Sequence, residues 1–151
     1  MAICFKKDAA KNLDERVAKR CSGDQARRFD SMTFDAFTKG LLDRFYPALP
    51  ESFNVSGRYR IVNPSRTDYE KFFKLHGYHG LSAQQFESAL RLTDLPIDSS
   101  NGAVIQRALV DYWHEQLSGG EERFLSFSMI NRLIKLLLQT NPYIRRALQA
   151  T

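Results

Sequence analysis

Cysteine is scarce in this chain. Cys4 and Cys21 are the two present in 151 residues, too few for a disulfide framework and at a spacing that matches no metal-ligand motif. Packing is their expected role, and a reducing, cytoplasmic compartment the expected location. Long apolar runs are missing too. Spanning a bilayer takes roughly 20 consecutive apolar residues, and the richest stretch, around Leu136 to Leu138, is interrupted by Arg132 and Lys135, so no membrane partner is expected. No secretory signal is expected of the N-terminus: Met1 to Phe5 is too short an apolar stretch, and Lys6 and Lys7 follow it where a signal carries its charges first. Those five residues read instead as a buried strand. Catalytic groupings are equally thin. His76 and His79 flank Tyr78 in what reads as a solvated loop without a third ligand, and no order of Ser, Cys, His and Asp specifies a hydrolase triad.

Hydrophobic residues make up 43% of the chain, enough to bury a core and to exclude disorder of the whole. The net charge of +5 is unevenly distributed. Residues 1 to 80 hold fifteen Lys and Arg against ten Asp and Glu, whereas residues 81 to 151 hold seven of each. An anionic partner is therefore expected to meet the first half.

Apolar spacing predicts the elements. A strand over Ala2 to Phe5 precedes a helix over Lys7 to Arg20, where Ala10, Leu13 and Val17 recur every three or four residues. Strand then helix is the opening rhythm of an α/β domain. A second strand around Asp30 to Thr33 leads into a helix whose Phe34, Phe37, Leu41 and Phe45 should pack on the core and which stops before Pro47. The segment from Pro47 to Ser65 reads as a loop with one extended piece near Tyr59 and Ile61. Helices are then predicted over Thr67 to Lys74, Ala83 to Leu92, Gly102 to Leu117 and Phe127 to Gln139, the last capped by Ser126, with a final helix after Pro142. Val104, Ile105, Ala108, Leu109, Tyr112 and Trp113 form the expected apolar stripe of the third of these, and Phe127, Ile130, Ile134 and Leu137 that of the fourth. The expected fold is mainly α with a small β element.

Two segments carry a resemblance. Cys4-Phe5-Lys6-Lys7-Asp8-Ala9-Ala10-Lys11-Asn12-Leu13-Asp14-Glu15-Arg16-Val17 resembles motif Ia of UvrD/Rep-type superfamily 1 DNA helicases, approximately T-F-T-N-K-A-A-x-E-M-x-x-R-V. Phe5, Ala9, Ala10, Arg16 and Val17 match, while Cys4, Lys6, Lys7 and Asn12 depart. Thr33-Phe34-Asp35-Ala36-Phe37-Thr38-Lys39-Gly40-Leu41-Leu42-Asp43-Arg44-Phe45 resembles the family's T-F-H-S-F-x-x-x-L-L-R motif, with Asp35 where His is usual. The resemblance implies the edge of a RecA-like α/β domain, residues 1–46, followed by that domain's helical 1B insertion, residues 47–151. It also implies single-stranded DNA and the remaining helicase subdomains as partners, with Phe5, Lys6, Lys7, Thr33 and Asp35 at the DNA. A helix start, polar side chains and a nearby aromatic suit a phosphate and its base. At Asp35 a carboxylate either repels phosphate or serves the start of its helix.

The family's G-x-x-x-x-G-K-[ST] phosphate loop is missing, as is its Asp-Glu strand for Mg²⁺. The isolated chain is therefore expected to be no enzyme and to hold no cofactor, ATP and Mg belonging to the parent protein. The tail from Tyr143 to Thr151 reads as the helix feeding the missing strand. Leu117-Ser118-Gly119-Gly120-Glu121 echoes the L-S-G-G-Q signature of ABC-type ATPases, but it closes a predicted helix with Gly119 as cap, and no strand ending in Asp-Glu follows. From another class, the alternative function is a small helical protein-interaction module without DNA binding.

Overall fold

The computed structural model describes residues 2–4, 7–20, 23, 31–55, 58–118 and 121–149. The chain folds as two compact units, Met1–Leu41 and Leu42–Thr151, the division falling inside the helix that starts at Phe34. The fold is mainly α with a small β element.

In the first unit, β1 (Ala2–Cys4) and β2 (Ser31–Thr33) pair in parallel, Ala2 opposite Ser31 and Cys4 opposite Thr33. Parallel neighbours cannot be joined by a tight turn, and the intervening chain contains α1 (Lys7–Arg20). Asp8 in its first turn and Lys19 and Arg20 in its last complement the helix dipole. Ala10 is buried and Leu13 and Val17 are half-buried, so the three- and four-residue spacing marks the inward face.

Helix α2 (Phe34–Phe45) buries Thr38, Leu41 and Leu42. The Thr38 hydroxyl is satisfied by donating to the Asp35 carbonyl at 3.1 Å. Of the four residues expected in the core, Leu41 is buried, Phe37 and Phe45 are half-buried, and Phe34 is 36% exposed. Phe34 lies on the same helical row as Thr38, but at the first helical position, where the row opens to solvent.

The second unit begins with two short 3₁₀ turns, Tyr46–Ala48 and Glu51–Phe53. There follow β3 (Tyr59–Ile61), α3 (Arg66–His76), α4 (Ala83–Leu92), α5 (Val104–Ser118), β4 (Arg123–Leu125), α6 (Phe127–Thr140) and α7 (Pro142–Gln149). Local chemistry fixes the helix ends. The Ser65 side chain accepts from Asp68 N–H while the Asp68 carboxylate accepts from Ser65 N–H, a reciprocal cap for α3. Gly77 ends α3 at φ 72°, a left-handed turn that glycine adopts without Cβ strain. Ser82 and Ser126 cap α4 and α6, accepting from Gln85 and Met129 N–H.

Helix α4 packs against α3, α5 and α6. Its fully buried Phe86 meets the rings of Phe73 at 5.1 Å and of Tyr69 and Tyr112 at 5.4 Å, the last two at 60° and 80°. Burying a side chain of this size contributes about 1.5–3 kcal/mol, and edge-on ring contacts add to it. On α5, Ala108, Leu109, Tyr112, Trp113 and Leu117 are buried, but Val104, expected on the stripe, is 41% exposed at the helix start. On α6 the buried face is wider than expected: Met129, Leu133 and Leu136 join Ile130, Ile134 and Leu137, and Phe127 is only half-buried.

Strand β4 has no counterpart among the elements expected from apolar spacing. It pairs in parallel with β3, Tyr59 opposite Arg123 and Ile61 opposite Leu125, and Val62 N–H extends the ladder to the Leu125 carbonyl at 3.0 Å.

Candidate nucleic-acid interface

Of the five residues assigned to DNA, the three that the structure describes, Lys7, Thr33 and Asp35, gather at one end of the first unit's sheet. Cys4 and Thr33 are the last residues of β1 and β2 and stand opposite each other. Lys7 opens α1 and Phe34 opens α2. Both helices thus begin just beyond the carboxyl ends of adjacent parallel strands, the edge at which open α/β sheets receive ligands. Helix starts carry unpaired amides and partial positive charge, which attract anions. Phe5 and Lys6 lie outside the described residues, as do Cys21 and Gly119.

Lys7 is exposed, and α1 also exposes Lys11, Arg16, Lys19 and Arg20 against Asp8, Asp14 and Glu15. Thr33 is half-buried and its Oγ1 accepts the Ala36 N–H at 3.1 Å. Thr33 is therefore the side-chain cap of α2. Asp35, the second residue of the helix and part-buried, stands in the first turn, where a carboxylate favours the helix dipole, while the N–H of Ala36 is taken by Thr33. The sequence carried the signal for this: a threonine directly before a helical run is a common cap.

His76 and His79 are both exposed, as expected, but only His79 lies in the loop. His76 is the last residue of α3, and its Nε2 lies 3.0 Å from Glu115 Oε2 on α5. Tyr78 donates to the Asp111 carboxylate, and burial followed by that hydrogen bond pushes its phenol up to about 12. Among the described residues, no three His, Cys, Asp or Glu come together as a metal site, and no helix is long and apolar enough to cross a membrane.

No protein-family model matches the chain, and neither a curated protein nor a solved structure matches it.

Proposed function

We propose that the chain is the single-stranded-DNA-binding portion of an ATP-dependent DNA helicase or translocase of the UvrD/Rep type, with the ATP-hydrolysing motifs outside it. On this reading residues 1–46 are the edge of the RecA-like domain and residues 47–151 its helical insertion. The observation that carries the proposal is the pairing of Cys4 with Thr33. It brings the two segments that resemble helicase motifs side by side at the carboxyl ends of two parallel strands, and this supports the reading because open α/β sheets in general take ligands at that edge. Lys6 and Lys7 hold phosphate in this scheme, Phe5 offers a ring to a base, and Thr33 contributes less because its hydroxyl oxygen already serves α2.

The test is fluorescence anisotropy of a labelled oligothymidylate at low and high salt. The expected result is weak, salt-sensitive binding. Replacing Lys6 and Lys7 together by alanine should flatten the log-log salt slope by about 0.7 for each phosphate that the chain no longer neutralises, whereas Arg91→Ala in the second unit should leave it alone. An unchanged slope in the double variant removes the lysines from the interface. Absence of binding even at low salt removes the DNA reading and leaves the protein-interaction module.

A further inference from the structure

A cleft of about 580 Å³ opens within the second unit, among the Glu51–Phe53 turn, Pro96 and Ile97, α5 and the start of β4. Phe53, Ile97, Trp113 and Leu117 give it an apolar wall, with the Phe53 and Trp113 rings edge to face at 6.1 Å. Strand alternation decides which residue of β4 faces it. Successive side chains of a strand point to opposite faces, and Arg123 lines this cleft while Phe124 lines a separate one beside Tyr69 and Phe72.

Among the described residues, Arg123 forms no ion pair. It is only partly exposed, and its Nε is buried without a hydrogen-bond partner there. Its sequence neighbour Glu122 is engaged by Arg60 at 3.2 Å. Arg132 shows the contrast: its Nε is also unpartnered, but Asp94 meets its guanidinium at 3.0 Å. A buried N–H without a partner is costly, and the remaining guanidinium donors suit an anion that reaches them from the cleft.

We propose that this cleft binds a small amphipathic carboxylate, its ring-sized apolar body against Phe53, Trp113 and Leu117 and its carboxylate on the Arg123 guanidinium. The volume falls within the roughly 300–1,000 Å³ of small-molecule sites, which share this pattern of apolar wall and few polar groups. A planar guanidinium matches a carboxylate by two parallel hydrogen bonds. Glu51 lines the same cleft, and its carboxylate disfavours a phosphate dianion more than a carboxylate monoanion. The site lies wholly in the second unit and does not depend on DNA binding by the first.

Trp113 is the chain's only tryptophan, so its indole N–H gives a single, assigned signal in nitrogen–proton correlation spectra. The full chain is titrated with naphthoate, naphthyl phosphate and the neutral naphthalenemethanol. Naphthoate should shift the indole signal saturably, the alcohol should bind at least about tenfold more weakly, and the phosphate should fall between them. Arg123→Gln should bring naphthoate down to the level of the alcohol, and Glu51→Gln should raise the phosphate to that of naphthoate. Equal binding of acid and alcohol, or no saturable shift, overturns the site. Phosphate tighter than carboxylate overturns the assignment of the ligand. If Arg123→Gln does not fold, the comparison of acid and alcohol on the unaltered chain decides alone. An oligothymidylate competitor that displaces naphthoate would also overturn the proposal, since the site would then belong to the DNA path.

Discussion

Asp94 holds Lys135 through both carboxylate oxygens, with Nζ 2.7 Å from Oδ1 and 2.8 Å from Oδ2. Arg132, three residues earlier on α6 and so on the same face, donates to Oδ1 at 3.0 Å. One carboxylate thereby ties the segment after α4 to α6.

The Lys135 hydrogen bond, with the charges of Lys135 and Arg132, keeps the Asp94 carboxyl below its ordinary 3.8. Hydrogen bonds from Ser65 do the same for Asp68, and those from Ser100 for Asp98. A carboxyl lowered on folding contributes stability that is present above 3.8 and lost as pH falls through the lower folded value. The urea midpoint should therefore fall on acidification below that point. The Asp68→Asn, Asp94→Asn double variant should start lower and fall less, by a small margin because both groups face solvent. A double variant with an unaltered acid limb would contradict this account.

Phe86→Ala should cost about 3–5 kcal/mol in urea unfolding of the second unit, because the ring has 0% exposure and touches Tyr69, Phe73 and Tyr112. Leu75→Ala, at a side chain 76% exposed, should stay within about 0.5 kcal/mol. Similar losses at the two positions would mean the aromatic cluster is not the centre of the core.

Thr33 and Asp35 should separate cleanly. Thr33→Val removes the acceptor of the Ala36 N–H and should destabilise α2 by about 1 kcal/mol, visible as faster amide exchange at Ala36. Asp35→Asn leaves that bond intact. It should tighten binding of single-stranded DNA slightly, a charge interaction at a solvent-accessible surface being worth at most about 1 kcal/mol and screened by salt. Faster exchange at Ala36 in Asp35→Asn, without tighter DNA binding, would return the cap to Asp35.

Four tyrosines should resist alkaline titration. Burial, joined by nearby carboxylates, lifts Tyr69 and Tyr78 to about 12 and raises Tyr59, and burial with the neighbouring Tyr69 phenol raises Tyr112 as well. A phenol raised on folding adds stability that is fully present below its ordinary 10 and is lost as pH rises through the folded value. Ultraviolet titration should find these four protonated at about pH 11, and Asp111→Asn should bring Tyr78 down. Ionisation of all four near 10 would contradict the burial of these phenols and the carboxylate bonds of Tyr59 and Tyr78.

Local signals were legible in the sequence. The bounds of α1, α2 and α4 follow from apolar spacing within each segment, and Ser126 announces the start of α6 by its type alone. Strand β4 was not legible, because three residues carry no period and its partner β3 lies on the far side of three helices. The same distance hid Arg123: its lack of a partner depends on where Glu51, Glu122 and Arg60 come to rest, which no local pattern encodes. The first unit's sheet end was readable in its residues but not in its pairing, since the alignment of Cys4 with Thr33 is a register and not a composition.

The ladder between β3 and β4 also sets an order of events during synthesis. Its two strands bracket α3, α4 and α5, so β3 leaves the ribosome long before Arg123 to Leu125 exist. Helices assemble from neighbours in sequence, whereas a parallel pairing across so long a loop must wait for them. Until then Tyr59 to Ile61 lack their strand partner, and unpaired extended segments are surfaces through which nascent chains stick to one another. The three-residue length of β3 and the exposed charge of Arg60 at its centre keep that surface short and repellent until β4 arrives, when Arg60 acquires Glu122 as its partner.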